Sequence, residues 1–200
     1  ISGIRVKGHN GEWYEIIRYI TPYGVACQSK IDLTDFASIL HGKVTFEFYL
    51  GTQGNGFEYT INLDYKKGTP VHAYSSIEKL WNKTYPFGDP ANKKPTRTIN
   101  TKLQSGATAG TLKLVSTGHG WGDNNSGNAA EFHNDTHIIR INGAQAFRQN
   151  NWYDCNPNPD GCNPQLGSWT FDRAGWCPGA IAQWFTAAHL QLALIWHYFK

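Results

Sequence analysis

Two stretches in the second half of the sequence concentrate side chains that could carry out acid–base chemistry. Residues 116–137 (STGHGWGDNNSGNAAEFHNDTH) include Glu131 and three histidines, and residues 172–179 (DRAGWCPG) begin with Asp172 and Arg173. A carboxylate can position or deprotonate water. A guanidinium presents a rigid fork of donors for a carboxylate or for sugar hydroxyls. Because only 16% of the chain is charged, this concentration indicates a functional site.

A strand running unbroken through this region would bring four polar side chains together. Alternate residues of a strand share a face, so we expect one face to carry Glu131, His133, Asp135 and His137. Each candidate also has a purely structural interpretation. Glu131 could be a solvated edge residue and His137 a hydrogen-bonded structural histidine, and Asp172 and Arg173 could simply pin a turn to each other.

A metal site is a further interpretation of the same cluster. Three imidazoles and a carboxylate suit zinc or copper, and the candidates are His119, His133, His137 and Glu131. We rank this hypothesis below the two described at the end of this section, and we expect no cofactor.

Composition excludes several classes of protein. The chain has 200 residues, 40% of them hydrophobic, and a net charge of +3. With no run of Lys and Arg, we expect no nucleic-acid partner. No stretch reaches the length of about 18 apolar residues that a membrane span requires, so we expect no membrane partner.

Short β-type segments separated by Gly, Pro and Asn dominate the chain. We predict strands over residues 13–20, 43–50, 58–65, 111–116 and 137–142, a core strand over residues 190–199, and one short helix over residues 33–40 with Thr34 as its cap. Many short strands with turn signals are typical of an all-β sandwich or jelly roll. A connection rich in Pro and Lys predicts two units, residues 1–72 and 73–200.

The four cysteines predict a disulfide-bonded protein. Their spacing contains no zinc-finger pair, so we expect Cys177 to pair with Cys155 or Cys162, and the state of Cys27 stays open. Disulfides imply an oxidising compartment, which predicts a secreted or periplasmic protein.

Two separated blocks resemble the peptide:N-glycosidase F family, bacterial amidases that remove N-linked glycans. The first block contains GEWYEIIRYITPYG (residues 11–24), IDLTDF (31–36) and EYTINLDYKKGTP (58–70), and the second contains AAEFHNDTHIIRIN (129–142) and GSWTFDRAGWCPG (167–179). The resemblance implies two adjacent jelly rolls with a cleft between them, and no metal or cofactor.

The resemblance also implies roles for the candidate residues. Glu131 falls on a functional Glu of the family, and Arg173 on an Arg near the active cleft, so we take both as candidate catalytic residues. The position of a sugar-contacting Trp falls on either His119 or Trp121. We take four residues as candidate substrate contacts: His119, Trp121, Asp172 and Trp176.

The sequence departs from the family pattern at several positions. The principal catalytic Asp of the family would lie upstream of Ile1, and a second functional Glu falls at about Leu50. Ala129 and His133 stand where the family has a cysteine pair. We therefore expect turnover to need sequence upstream of Ile1, and we expect both jelly rolls to be truncated relative to the family. Either another chain supplies the missing first strands, or they belong to sequence beyond these 200 residues.

Two functions follow from this resemblance. The first is hydrolysis of the amide between N-acetylglucosamine and Asn in glycoproteins or glycopeptides, converting Asn to Asp. The alternative is a non-catalytic glycan- or protein-binding module on the same scaffold, in which aromatic rings stack on sugars; the candidates for stacking are Trp121, Trp152, Trp169 and Trp176.

Overall fold

The chain is an all-β protein, as predicted from the pattern of short strands. A computed structural model describes residues 1–51, 56–70, 72, 74–84, 98–120 and 130–191. The described strands are β1 (Ser2–Lys7), β2 (Trp13–Tyr19), β3 (Thr45–Leu50), β4 (Ala109–Leu114), β5 (Thr136–Ile141), β6 (Ala144–Asn150), β7 (Ile181–Ala182) and β8 (Phe185–Gln191). Two 3₁₀-helices accompany them, Thr34–Ile39 and Ala130–Phe132.

The largest sheet has the antiparallel order β3-β1-β2-β7. Its inner face buries Val6 of β1 with Tyr14 and Ile16 of β2, and the first 3₁₀-helix covers this face with Ile39 and Leu40. Tyr14 and Ile16 are buried on the same face because side chains two positions apart on a strand point to the same side.

The predicted helix over residues 33–40 forms as the 3₁₀-helix Thr34–Ile39, but its predicted cap is wrong. Oδ1 of Asp32 accepts hydrogen bonds from the backbone N of Thr34 at 2.8 Å and from its Oγ1 at 2.5 Å. The Thr34 hydroxyl is thus a donor to the preceding Asp, an alternative to helix capping that short polar side chains commonly adopt.

The remaining strands form two pairs, β4 with β8 and β5 with β6. The hairpin between β5 and β6 turns through Asn142 and Gly143, whose φ angles are 51° and 83°. A two-residue hairpin turn of this kind needs positive φ at both positions, and Asn-Gly is its preferred sequence. The hairpin ends beside the candidate site, where Tyr153 and Arg173 form an isolated antiparallel bridge.

Four of the predicted strands are confirmed with small shifts at their ends, as β2, β3, β4 and β5. The strand predicted over residues 58–65 is wrong, since that segment belongs to no helix or strand. Of the core strand predicted over residues 190–199, the first two residues belong to β8 and the others lie outside the described residues. Within the described part of the chain, no helix is both long and apolar enough to cross a membrane.

All four cysteines form disulfides. Cys177 pairs with Cys155, one of the two predicted choices, and Cys27 pairs with Cys162. The second bond joins residues 135 positions apart. It connects the two units predicted from sequence, and β7 does the same by pairing with β2. The boundary at residue 72 stays a prediction.

Candidate active site

An ion pair between Arg173 and Glu131 lies at the centre of the candidate site. Nε of Arg173 is 3.0 Å from Oε1 of Glu131. The Arg173 side chain has no exposed surface, whereas 21% of the Glu131 side chain is exposed. Solvent therefore reaches the carboxylate, and the positive charge lies beneath it.

The other donors of Arg173 are also occupied. Nη1 donates to the carbonyl of Phe171 at 2.5 Å, and Nη2 donates to the carbonyl and the hydroxyl of Ser168 at 2.9 Å and 3.1 Å. Of the two kinds of partner considered for this guanidinium, a carboxylate and sugar hydroxyls, it contacts the carboxylate of Glu131. Its geometry fits a positioning residue that orients Glu131.

Three aromatic rings enclose the Arg173 guanidinium. Its Cζ lies 4.9 Å from the ring centroid of Trp176, 5.3 Å from that of Phe132 and 5.8 Å from that of Tyr23. Cations over aromatic faces are attracted by the ring quadrupole, more strongly when desolvated. These rings and Glu131 fix the position of the buried guanidinium.

Tyr23 is a site residue that the sequence analysis did not single out. Its backbone N donates to Oε1 of Gln165 at 2.9 Å, and its carbonyl accepts from the N of Leu166 at 2.9 Å, so it is anchored to the segment preceding Arg173. Burial raises the pKa of the Tyr23 hydroxyl, and the nearby positive charge of Arg173 opposes that shift. In the sequence, only its position within residues 11–24, the first segment that resembles a known family, could have indicated Tyr23.

Backbone hydrogen bonds join the three segments that form the site. The N of Gly118 donates to the carbonyl of Ala174, and the N of Ala174 donates to the carbonyl of Glu131, both at 2.9 Å. A Cβ on Gly118 would collide with the carbonyl of Ala130, and one on Gly175 would collide with the carbonyl of Ser116. Close approach of backbones therefore requires glycine at both positions.

The predicted strand face containing Glu131 and the histidines does not form. Glu131 lies in the 3₁₀-helix Ala130–Phe132, and β5 begins only at Thr136. The Glu131 carbonyl bonds to Ala174 in the Arg173 segment instead of to a neighbouring strand. The carboxylate is thus presented by a turn. Among the described residues, no group of three or more His, Cys, Asp or Glu side chains is arranged to hold a metal ion.

One interpretation of the sequence was that Asp172 and Arg173 pair with each other and stabilise a turn. The two side chains do not pair in the structure. The Asp172 carboxylate instead accepts a long hydrogen bond of 3.4 Å from the backbone N of Cys155. Arg173 turns to Glu131 because the two residues are carried by segments that the Ala174 hydrogen bond holds side by side.

His119 and Trp176 stack with ring centroids 5.0 Å apart. Trp176 is buried and donates through Nε1 to the carbonyl of Gly118 at 2.5 Å, so it supports Arg173 and His119 and presents no open face to a sugar. Burial lowers the pKa of His119 to about 4, with smaller contributions from the positive charges of the N-terminus and Arg18. Trp121, the other candidate for this position, lies outside the described residues.

A second Glu–Arg pair, which the sequence analysis missed, lies nearby on the main sheet. The guanidinium of Arg18 donates to both carboxylate oxygens of Glu15, at 2.8 Å and 2.7 Å. A third donor, Nη1 of Arg18, bonds Oγ1 of Thr117 at 3.1 Å. The pair thus ties the main sheet to the segment that carries Gly118 and His119.

A β-bulge explains why Glu15 and Arg18 meet. The register between β1 and β2 shifts so that Ile4 faces Ile17 while Arg5 faces Glu15, which leaves one extra residue on β2. An extra residue reverses the alternation, so Glu15 and Arg18 share a face although they are three apart.

The hydroxyl of Tyr49 completes this cluster by donating to Oε1 of Glu15 at 3.0 Å. Gly3 lies between Tyr49 and Arg18 in the sheet register. A Cβ at Gly3 would lie 2.6 Å from the Tyr49 hydroxyl, so only glycine leaves room for the ring to reach across β1.

Comparison with known proteins gives the family of this fold and site. A sequence profile described as the C-terminal domain of peptide-N-glycosidase F matches residues 87–193. The peptide-N(4)-(N-acetyl-beta-D-glucosaminyl)asparagine amidase F of Elizabethkingia miricola is 38% identical in an alignment of 183 positions that covers 84% of this chain and 51% of that protein. The chain belongs to the peptide-N-glycosidase F family.

Solved structures of the family agree with this assignment. A crystal structure of a peptide-N(4)-(N-acetyl-beta-D-glucosaminyl)asparagine amidase matches with a TM-score of 0.71 and 27% identity, over 95% of this chain and 66% of that one. The structure of PNGase F from Flavobacterium meningosepticum, described as a glycosylasparaginase, matches with a TM-score of 0.68 and 28% identity, over 94% and 68%. The chain is thus a jelly-roll β-sandwich protein, and it spans about half the length of the curated relative.

Proposed function

We propose that this protein hydrolyses the amide between N-acetylglucosamine and Asn in glycoproteins or glycopeptides. The observation that carries the proposal is the Glu131–Arg173 pair, in which a carboxylate open to solvent is held by a fully buried guanidinium. The relative from Elizabethkingia miricola is named for this amidase reaction.

Hydrolysis of an amide needs a group that positions or deprotonates water and a donor for the leaving nitrogen. Glu131 binds Arg173 through Oε1, which leaves Oε2 for a water or for the substrate. The proton that the carboxylate takes from water can pass to the departing glycosylamine as the carbon–nitrogen bond breaks. The Asn side chain then becomes the carboxylate of Asp.

Arg173 contributes by orientation in this proposal. Two carbonyls and a hydroxyl bind its other nitrogens, so the guanidinium holds one rotamer and fixes the direction of the Glu131 carboxylate. Precise placement of a general base is a large part of catalysis, because a displacement of about 1 Å can reduce the rate by about a hundredfold.

A glycopeptide assay tests the proposal. The chain, alone and with the coding sequence that precedes Ile1, is incubated with an N-glycosylated peptide in ¹⁸O-labelled water and examined by mass spectrometry. From the extended form we expect an Asp-containing product that carries one ¹⁸O atom, and from the chain alone we expect none. In the extended form, Glu131→Gln should abolish the product. Glu12→Gln, which neutralises an exposed carboxylate between β1 and β2, is the matched control and should retain turnover. Turnover that survives in Glu131→Gln would contradict the proposal.

A glycan-binding module is the second candidate, and Leu50 favours it. Leu50 stands at about the position of a second functional Glu, at the end of the edge strand β3 opposite Ser2. The nearby Glu47 is paired with Arg5 at 3.5 Å and does not replace it. Saturable binding of a glycopeptide that Glu131→Gln leaves intact, with no turnover in either form of the protein, would favour this candidate.

We further propose that the protein works in an oxidising compartment, either secreted or periplasmic. The disulfides Cys27–Cys162 and Cys155–Cys177 support this, because such bonds persist outside the reducing cytosol. The substrate partner would then be an N-linked glycoprotein or a glycopeptide derived from one.

A further inference from the structure

A disulfide and a buried glutamine fasten the loop that carries Tyr23 to the segment that precedes Arg173. The bond Cys27–Cys162 joins the two segments covalently. Beside it, Gln165 is buried, its Oε1 accepts from the backbone N of Tyr23 at 2.9 Å, and its Nε2 donates to the carbonyl of Cys162 at 2.6 Å. The disulfide and the hydrogen bonds of Gln165 are here called the loop clamp.

The loop clamp is also fixed to the segment that follows Arg173. Nε2 of Gln165 donates to the carbonyl of Pro178 at 2.9 Å. A Cβ on Gly179 would collide with Sγ of Cys162, so the backbone after Pro178 lies directly against the disulfide. The segments on both sides of Arg173 are therefore held at one point.

Each of the two segments joined by the loop clamp contacts the Arg173 guanidinium. Its Cζ lies 5.8 Å from the ring centroid of Tyr23 on one segment. Its Nη2 donates to the carbonyl and the hydroxyl of Ser168, which follows Gln165 on the other segment. The clamp thus fixes two of the groups that hold Nε of Arg173 against Glu131.

We propose that the loop clamp positions the candidate catalytic carboxylate of Glu131, acting through Arg173. The positioning residues are Cys27, Cys162 and Gln165. Side chains of a catalytic site keep a productive geometry when surrounding contacts lock their rotamers. The catalytic meaning of this inference rests on the proposed amidase function. If the clamp only stabilised the fold, opening it would leave the Arg173–Glu131 pair and the rate of the folded protein unchanged.

Exchange of the Arg173 Nε–H with solvent, followed by ¹⁵N NMR, tests the hydrogen bond to Glu131 without any substrate. Two variants open the loop clamp independently. Cys27→Ala combined with Cys162→Ala removes the disulfide, and Gln165→Met keeps the length of the side chain but removes its hydrogen bonds. We expect exchange at Arg173 to accelerate by about tenfold in each, because a buried donor is protected until the structure around it opens.

Arg18 is the internal control, because its Nε donates to Glu15 at 2.8 Å and the pair lies outside the loop clamp. General loosening of the protein would accelerate exchange at both arginines, so the Nε–H of Arg18 should keep its wild-type rate in the opened variants. Gln28→Ala changes an exposed neighbour of Cys27 and should leave the exchange of Arg173 unchanged.

Turnover by the extended form, which includes the sequence before Ile1, is the second measurement, made where every variant is folded. Opening the loop clamp should lower kcat by about tenfold and leave KM within about twofold, because a misplaced general base weakens only the transition state.

Wild-type exchange at Arg173 in the opened variants would overturn the proposal, and so would accelerated exchange with an unchanged kcat. An extended wild-type protein without turnover would contradict the amidase function alone. The exchange of Arg173 would then still decide whether the loop clamp holds the Arg173–Glu131 pair in place.

Discussion

Arg173 and Glu131 share a hydrogen bond of 3.0 Å, yet the two side chains occupy different surroundings, because the guanidinium is fully buried and the carboxylate faces solvent. Desolvating an arginine is expensive unless its charge and donors are satisfied. Glu131 supplies the charge, while Phe171 and Ser168 supply the remaining acceptors. The pair is therefore both the candidate catalytic group and a constraint on the fold around it.

Arg173→Lys should destabilise the protein substantially. Lysine cannot reach Glu131, Phe171 and Ser168 together, so several acceptors lose their donor, and we expect the free energy of unfolding to fall by about 3 kcal/mol. Glu131→Gln should lower it by about 3 kcal/mol as well, because the amide oxygen can still accept from Nε but the buried guanidinium loses its counter-charge. Urea unfolding measures both. A loss below about 1 kcal/mol in either variant would contradict the burial of the Arg173 charge.

Tyr23→Phe should preserve most of the stability of the site. The ring lies 5.8 Å from Cζ of Arg173, and phenylalanine keeps that aromatic face while removing only the hydroxyl. We expect a loss of less than about 1 kcal/mol, whereas Tyr23→Leu, which removes the ring, should lose about 2 kcal/mol. Urea unfolding of the two variants makes the comparison. Equal losses in the two variants would mean that the hydroxyl, and not the ring, supports Arg173.

Glu15→Gln should make Tyr49 easier to ionise. Burial, followed by the negative charge of Glu15, raises the pKa of Tyr49 to about 12. Removing the charge should lower that pKa towards its ordinary value of 10. Tyrosine labelled with ¹³C allows NMR titration of individual rings. Tyr153 is an internal control, because burial alone raises its pKa to about 12, and its titration should not move.

Local signals in the sequence predict several elements of the fold and fail where distant segments meet. Asn142 and Gly143 determine the β5–β6 turn by their own backbone preferences. The Glu15–Arg18 pair depends on a bulge opposite β1, which no pattern within β2 reveals. Likewise, residues 58–65 have the alternation of a strand, but a strand also needs a partner, and none of the described segments pairs with it.

The sequence likewise predicted only part of the candidate site. The resemblance placed Glu131 and Arg173 in one cleft, and the structure brings them into contact. It could not predict that a turn presents Glu131 or that Tyr23 packs against Arg173, because both depend on contacts between residues far apart in the chain. Cys27 is a similar case, since its partner Cys162 is 135 positions away.

His119→Phe should remove part of the acid sensitivity of folding. The pKa of His119 in the folded protein is about 4, below its ordinary value of 6.5, chiefly because the ring is buried against Trp176. The unfolded chain therefore binds this proton more readily, so the stabilising contribution is complete above pH 6.5 and is lost as the pH falls towards 4.

The loss amounts to about 3 kcal/mol at most. Phenylalanine keeps the stacking and does not titrate, so the stability difference between variant and wild type should increase in favour of the variant as the pH falls from 7.5 to 4.5. Urea unfolding at a series of pH values measures this difference. Carboxylates also lose stabilising charge in acid, but they do so equally in both proteins and cancel. Parallel pH dependence in the two proteins would show that His119 binds a proton equally well in the folded and unfolded chain, which would contradict its burial as a neutral ring.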